Sequence, residues 1–455
     1  MNTSKKVLFK KSKYNLIIPF DGCDAVYNTL QDSITLVGNV QENQMSNSDI
    51  SIMHSQGIYV NNGVDERLVF RYRANQQKFR SARLHLFLTV TGSCNCDCQY
   101  CFAKGCFPNR SISKLDIPYI VTFAETQLRS REIREIHIDF FGGEPFLCED
   151  LYLKIMREFA KLSSRYGIVP HFQFYTNGTI VPRHGFEIFD EFEYVKFLIT
   201  LDGLKDVHDK LRPLKDGHSC YDTIIKNLTS IREVNQHAVI RINYGKNSYL
   251  YVPRLLDELI KMGLTCFPIE FYPIQNMSNS SAEFEDAVGV KELPSINEYL
   301  WTEASKRNIP VSVRPVAANC YCSAFTDTMF VIDPDLDVYK CALLQCEKKY
   351  SIGNLKKQTK YQTDSVCYDW LTYDPSTEEH CKDCISLPVC AGGCGGSGTF
   401  RFGTHHYSNC YELSPLMLKQ TIKTYISTYY QKHIAAFIQN NEHVMILEKA
   451  RYNEP

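Results

Sequence analysis

From Leu84 to about Tyr272, short apolar runs alternate with longer stretches in which apolar residues recur every three or four positions. The short runs are LHLFLTVT, EIHIDFF, HFQFYTNG, YVKFLITLDG, AVIRINY and FPIEFYPI, whose alternating or continuous apolarity over such lengths reads as strand. The longer stretches include DIPYIVTFAETQLRS, EDLYLKIMREFAKLSSRYG, CYDTIIKNLTSIREV and VPRLLDELIKMG, several of which end in glycine, a usual helix stop. Six strand–helix units in succession imply an α/β fold: a parallel sheet buried on both faces and curved toward a partial (β/α)6, TIM-like barrel. In such barrels the active site lies at the C-terminal strand ends.

The rhythm stops on either side. Residues 1–80 read as a separate unit of short antiparallel strands (YNLIIPF, AVYNTLQ, DSITLVG) with the turn signal DGCD, then a polar stretch NVQENQMSNSD, then SQGIYVNNGVDERLVFRYRANQQKF, which ends in a helix. The barrel takes residues 81–275, and a bridging region, residues 276–318, holds the loop NMSNSSAEFED and the helix PSINEYLWTEASKRN. Residues 319–415 are rich in cysteine, and 416–455 form an amphipathic helix, LMLKQTIKTYISTYYQKHIAAFI, with a tail. Ser414 as N-cap and Pro415 in the first turn mark the start of that helix.

Composition narrows the class. The chain has 455 residues, 44% of them apolar and 22% charged, with a formal net charge of −1. No basic balance points to nucleic acid. The lysines near the N-terminus are not followed by a signal peptide's apolar run. No stretch of about 18 apolar residues exists to span a membrane, so a cytoplasmic protein is expected. Nineteen cysteines change the picture most. A reducing compartment favours metal ligation over disulfides for clustered thiols. Four lie between Cys94 and Cys101 and ten between Cys320 and Cys410. The scattered Cys23, Cys106, Cys148, Cys220 and Cys266 read as small buried hydrophobes.

The first strand runs into a loop carrying Cys94, Cys98 and Cys101, spaced C-x-x-x-C-x-x-C, with Tyr100 before the last. Three thiolates there can ligate three irons of a cubane and leave the fourth iron open. A zinc knuckle or a redox C-x-x-C pair is the alternative. The loop resembles that of the radical S-adenosylmethionine (radical SAM) superfamily, and successive strand ends extend the resemblance. FFGGEP supplies Gly142, Gly143, Glu144 and Pro145; in the family pattern this element takes the cofactor's α-amino group, with Glu144 as the cation's partner. TNGT places Asn177 near the cofactor, TLDG places Thr200 and Asp202 at the ribose, and RINY offers Arg241 and Asn243 to the carboxylate or ribose. The run KDVHDKLRPLKDGH reads mainly as a solvated helix start, although His208, Asp209 and Arg212 could touch substrate.

The C-terminal order, Cys320 and Cys322, Cys341, then Cys381, Cys384, Cys390 and Cys394, and finally Cys410, resembles the SPASM domain of radical SAM enzymes. Where that family carries a glycine between its upstream cysteines, this chain has Leu336, which implies an altered hairpin turn. The resemblance covers roughly residues 84–415. It implies two auxiliary 4Fe–4S clusters. Cys322, Cys341 and Cys394 would hold the first and Cys381, Cys384, Cys390 and Cys410 the second. The fourth ligand of the first is left open between Cys320, Cys346 and an iron free for substrate. A zinc ribbon is the structural alternative.

The N-terminal unit resembles the winged-helix leader-binding elements of peptide-modifying radical SAM enzymes; a simple cover for the barrel is the other reading. The resemblance thus implies S-adenosylmethionine and three 4Fe–4S clusters as cofactors. It implies a 5′-deoxyadenosyl radical abstracting hydrogen from a leader-bearing precursor peptide to form a thioether, carbon–carbon or carbon–oxygen cross-link. It also implies a reductase partner such as flavodoxin or ferredoxin. An anaerobic sulfatase maturase and a small-molecule dehydrogenase stand as alternatives. Ala342 after Cys341, where the sulfatase group has an Asp base, argues against the first. No catalytic acid or base can be named from the sequence.

Overall fold

The computed structural model describes residues 9–41, 44–234, 236–276, 284–309, 311, 321–357, 365–407, 410 and 414–451. Strands β1 (Phe9–Lys11), β2 (Asn15–Phe20), β3 (Cys23–Asn28) and β4 (Ser33–Gly38) lead into helix α1 (Asn47–Ser55), strand β5 (Tyr59–Asn61) and helix α2 (Glu66–Phe79). β2, β3 and β4 form an antiparallel meander, while β1 pairs with β5. Helix α1, which the sequence reading did not mark, starts at the end of the polar stretch NVQENQMSNSD. Its start is fixed by a reciprocal cap: Asp49 N–H donates to the Ser46 hydroxyl and the Asp49 carboxylate accepts from Ser46 N–H.

The barrel follows as β6 (Arg83–Thr91), α3 (Ile117–Ser130), β7 (Glu135–Gly142), α4 (Glu149–Arg165), β8 (Pro170–Thr176), β9 (Tyr194–Thr200), α5 (Lys205–Leu211), α6 (Cys220–Glu233), β10 (His237–Tyr244), α7 (Val252–Lys261) and β11 (Ile269–Pro273). All six strands pair in parallel, in the order β11-β10-β9-β8-β7-β6, as the periodicity requires. Their outer faces are packed under α3, α4, α6 and α7 by residues such as Leu84, Leu86, Leu88, Ile136, Ile138, Phe172, Phe174, Ile240 and Ile242. Burying each such side chain is worth about 1.5–3 kcal/mol. The inner face carries polar and aromatic groups. Near its lower end His85, His137, His171 and Tyr194 stand in register on four adjacent strands, and the His137–His171 and His171–Tyr194 rings stack at 4.5 and 4.3 Å.

After the barrel come α8 (Leu293–Lys306), β12 (Met329–Ile332), β13 (Asp337–Tyr339), β14 (Gly353–Asn354), α9 (Ser365–Thr372), α10 (Leu387–Cys390), α11 (Gly395–Phe402), α12 (Pro415–Tyr429), α13 (Gln431–Gln439) and β15 (Val444–Glu448). β12 pairs in parallel with β6, so the cysteine-rich region extends the barrel sheet itself. In the β12–β13 turn Leu336 adopts a left-handed φ of 65°, the conformation a glycine would take without strain. Its side chain is fully buried, and Asp333 accepts the backbone N–H groups of Asp335 and Asp337. The turn is thus closed around a leucine in a glycine-type conformation.

Two findings revise the C-terminal reading. The expected single terminal helix breaks at Tyr430 into α12 and α13; the Tyr430 hydroxyl instead donates to Glu448. β15 then pairs with β4, so the chain's end closes the N-terminal sheet in the order β15-β4-β3-β2. Among the described residues no helix is long and apolar enough to cross a membrane.

Candidate functional site

The Cys94–Cys101 loop leaves β6 at the C-terminal edge of the sheet. Its backbone is pinned by Asp97 N–H to Pro213 O (2.9 Å) and Gln99 N–H to Leu211 O (3.0 Å). The three predicted thiols converge: Cys101 is held up to about 11 by burial, then by its neighbours Cys98 and Cys94. A hydrogen bond from the Cys96 thiol pulls Cys98 down to about 6, aided by the Arg212 guanidinium. Cys96 and its partner Cys220 are thiols that the motif does not mark. Cys96 bonds to both Cys94 and Cys98 and is buried beside Cys220.

The end of β7 comes close to this loop. A Cβ on Gly142 (φ 129°) would lie 2.0 Å from Thr91 O, and one on Gly143 2.1 Å from Ser93 O. Only glycine fits there. Pro145 begins a buried turn, and Glu144 is fully buried. Its carboxylate accepts from the Thr176 hydroxyl (2.7 Å), Asn177 N–H (2.7 Å) and Phe146 N–H (3.0 Å). Even so, burial raises its pKa to about 7. A buried carboxylate with neutral donors alone is short of a cation, which suits the α-amino group of S-adenosylmethionine. The Asn177 amide reaches Asn95 Oδ1 at 2.8 Å and lies 3.9 Å from Cys94 Sγ.

A second knot joins β9, β10 and the cysteine loop. Asp202 is buried and accepts Asn243 N–H at 3.0 Å. The Tyr100 hydroxyl donates to Asp202 and receives hydrogen bonds from Arg212 Nη1 (2.9 Å) and Asn243 Nδ2 (3.0 Å). Arg212 and His208 overturn the solvated-helix reading: they are 9% and 0% exposed. His208 Nδ1 accepts Asp202 N–H at 3.0 Å and its Nε2 lies 3.3 Å from Cys220 Sγ. Burial lowers His208 to about 3, so the ring is neutral. Asp209 accepts Tyr221 N–H. The sequence signal for this burial was the histidine five residues after the TLDG turn, in the helix that follows the strand end.

Thr200 and Arg241 lie opposite one another in the β9–β10 register. Arg241 is set apart from the Asp202 knot. Its Nη2 is 3.3 Å from Glu270, and its guanidinium lies over the Tyr272 and Tyr175 rings at 4.8 and 5.9 Å. That arrangement lies on the face of the sheet opposite the buried Ile240 and Ile242 side chains.

The C-terminal thiols separate into two groups. Cys341 is pushed up by burial and by its neighbours Cys394 and Cys322. Cys390 is raised to about 12 by burial and then by Cys410, Cys381 and Cys384. Thiols crowded this way repel one another as thiolates until a metal centre neutralises them. The cradle is tight: a Cβ on Gly396 would lie 2.7 Å from Cys341 Sγ, while Cys394 Sγ caps α11 through Ser397 N–H at 3.4 Å. The donor sets thus fit two clusters. Cys320 lies outside the described residues. Cys346 is bonded to Cys106 in a disulfide, which removes it from the first thiol set and corrects the reading of Cys106 as an inert buried thiol. Cys266 is exposed, also contrary to expectation.

Residues 88–265 match the family model described as Radical SAM superfamily. The chain is 23% identical over 330 residues to a cysteine-type anaerobic sulfatase-maturating enzyme of Clostridium novyi (strain NT), covering 68% of this chain and 87% of that protein. It is 22% identical over 233 residues to the radical SAM cyclopropyl synthase TigE of Paramaledivibacter caminithermalis, covering 46% of each. Among solved structures, native anSMEcpe with bound AdoMet and Kp18Cys peptide matches with a TM-score of 0.62 at 16% identity, over 79% of this chain and 99% of that one. Streptococcus suis SuiB bound to precursor peptide SuiA matches with a TM-score of 0.54 at 15% identity, over 88% and 98%. At these identities the structural matches establish the fold.

Proposed function

We propose that this chain, built around a radical SAM domain at residues 88–265 and sharing its fold with peptide maturases, is a cytoplasmic enzyme that cross-links a ribosomally made precursor peptide. The observation that carries the reading is the sorting of seven C-terminal thiols into the sets Cys322/Cys341/Cys394 and Cys381/Cys384/Cys390/Cys410, beside an N-terminal sheet unit that a small-molecule enzyme has less need of. SuiB, whose structure is described as bound to a precursor peptide, shares the fold over 88% of the chain.

In this reading Cys94, Cys98 and Cys101 would hold the catalytic cluster. Glu144 would receive the amino cation of S-adenosylmethionine, Asn177 would stand beside the cluster, and Asp202, Tyr100, Asn243 and Arg212 would frame the nucleoside. Bound together, the cluster and S-adenosylmethionine supply one-electron chemistry that removes a hydrogen atom from a substrate C–H bond. Arg241, Glu270, Tyr175 and Tyr272 shape the interior in which the peptide side chain is oriented and water excluded. The two C-terminal sets would hold auxiliary clusters as an electron path or thiol-binding site, with a flavodoxin or ferredoxin as electron donor.

The test is anaerobic incubation of the reduced protein with leader-bearing precursor peptides. Loss of a hydrogen pair from the peptide, with deoxyadenosine formed in step, supports cross-linking. No peptide binding and no mass change contradict it. Formylglycine formation on a Cys or Ser peptide would favour the sulfatase-maturase reading, which draws on the match to the Clostridium novyi enzyme. Against that stands Ala342 directly after Cys341, where a proton acceptor would be needed.

A further inference from the structure

One cluster of ligand-type side chains lies outside every thiol set. We propose that Asp369, His405 and His406 form a binding site for a divalent first-row transition ion, with zinc as the natural occupant. The ion clamps the histidine pair that follows α11 onto α9.

One donor atom from each residue lies within 4.8 Å of the other two. The two imidazoles address the two oxygens of a single carboxylate: His406 Nε2 is 2.7 Å from Asp369 Oδ1, and His405 Nε2 is 3.3 Å from Oδ2. His405 is 8% exposed, yet its Nε2 makes no aligned hydrogen bond. A buried ring nitrogen aimed at a carboxylate without bonding to it is the arrangement an intervening cation completes. Ion pairing alone does not explain it.

The ring is also held in place. It stacks on Trp370 with centroids 4.1 Å apart and planes at 12°, and Trp370 packs on Phe325 at 4.9 Å. The outward side stays open: the Asp369 and His406 side chains are 54% and 37% exposed. An ion can therefore enter and keep water in its remaining positions. Two imidazole nitrogens and one carboxylate oxygen suit Zn2+ at about 2.0–2.2 Å. They do not suit an iron–sulfur cluster, which is held mainly by thiolates. Cys394 caps α11, which ends at Gly403 just before the histidine pair, and Cys410 follows. The clamped pair thus lies in sequence between members of different thiol sets.

The experiment uses the full chain, reconstituted anaerobically with iron and sulfide, then incubated with Zn2+ and freed of excess over a weak chelator. The wild type should retain about one zinc per chain beyond its iron, and Asp369→Asn and His406→Gln should each fall below about 0.1 at unchanged iron content. Both substitutions are at exposed positions, and the iron content reports that each variant is folded. Co2+ in place of Zn2+ on the wild type should give ligand-field bands without the sulfur-to-metal charge-transfer band of a thiolate site. Zinc retained equally by both variants, no retained zinc at all, or a thiolate charge-transfer band would each overturn the site.

Discussion

The two sulfur-rich regions are built on opposite principles. The Cys94–Cys101 loop hangs from a finished scaffold. β6 is flanked by parallel neighbours, its outward leucines are fully buried, and Gly142 and Gly143 let β7 approach the loop backbone. Among its described residues, the region from Cys381 to Cys410 has as helices only the four-residue α10 and the eight-residue α11. There the thiols crowd one another, with turns between them. In the first region the fold positions the ligands; in the second the ligands position the fold. Under the proposed function, metal binding in the second would therefore be folding free energy, while in the first it would chiefly serve function.

The sharpest way to break this contrast is a matched pair of substitutions. Cys98→Ala should abolish deoxyadenosine formation while shifting stability by less than about 1 kcal/mol, because the strands remain packed. Cys384→Ala should lose on the order of 3–5 kcal/mol, because a structural ligand is gone. Thermal melts and deoxyadenosine yields on both variants decide it; equal loss of stability would dissolve the distinction.

Next comes Glu144, whose scaffold role and ligand role oppose each other. Burial lifts its pKa from 4.5 to about 7, so the folded state binds this proton more tightly than the unfolded chain. The resulting stabilisation is present below 4.5 and is lost as pH rises through about 7. Glu144→Gln should therefore raise the melting temperature of the cofactor-free protein at pH 8 but not at pH 4.5. It should also weaken S-adenosylmethionine binding about 10–100-fold, the worth of a charged hydrogen bond. Wild-type affinity should fall as pH drops below about 7. Calorimetry across that range checks both signs.

A smaller effect tests the seam between the regions. Leu336→Gly relieves the left-handed φ, worth about 1–2 kcal/mol, but removes a fully buried leucine worth about 2–5 kcal/mol. A net loss of about 1–3 kcal/mol is expected in urea unfolding. Cys346→Ala is read by iron rather than by stability, which loss of a disulfide lowers by about 2–5 kcal/mol. The residue pairs with Cys106, so the iron content should match the wild type; loss of iron would make it a cluster ligand.

What the sequence disclosed follows the same division. The six barrel strands are legible because burial on both faces enforces long apolar runs, and the cysteine loop because its spacing is short and local. Helix α1 is hidden because its start depends on a two-residue cap in a polar stretch. β15 is hidden because a half-buried strand at the chain's end shows its partner only once β4 is in place. His208 and Arg212 read as surface groups by type, yet the turn after Asp202 folds them inward, where Tyr100 and Cys220 satisfy them. Cys106 and Cys346, with a sequence separation of 240, carry no local sign that they meet. The partition of the C-terminal thiols was implied by resemblance alone; Cys341 has Cys394 and Cys322 as neighbours, and Cys390 has Cys410, Cys381 and Cys384.

The most direct test of the central claim is iron and sulfide per chain after anaerobic reconstitution, in the wild type and in a variant with Cys94, Cys98 and Cys101 all changed to alanine. The account predicts about twelve irons falling to about eight, as one cubane of three is lost. About four irons falling to none would mean that the C-terminal thiols hold no clusters, and the contrast between the two regions would have no chemical basis.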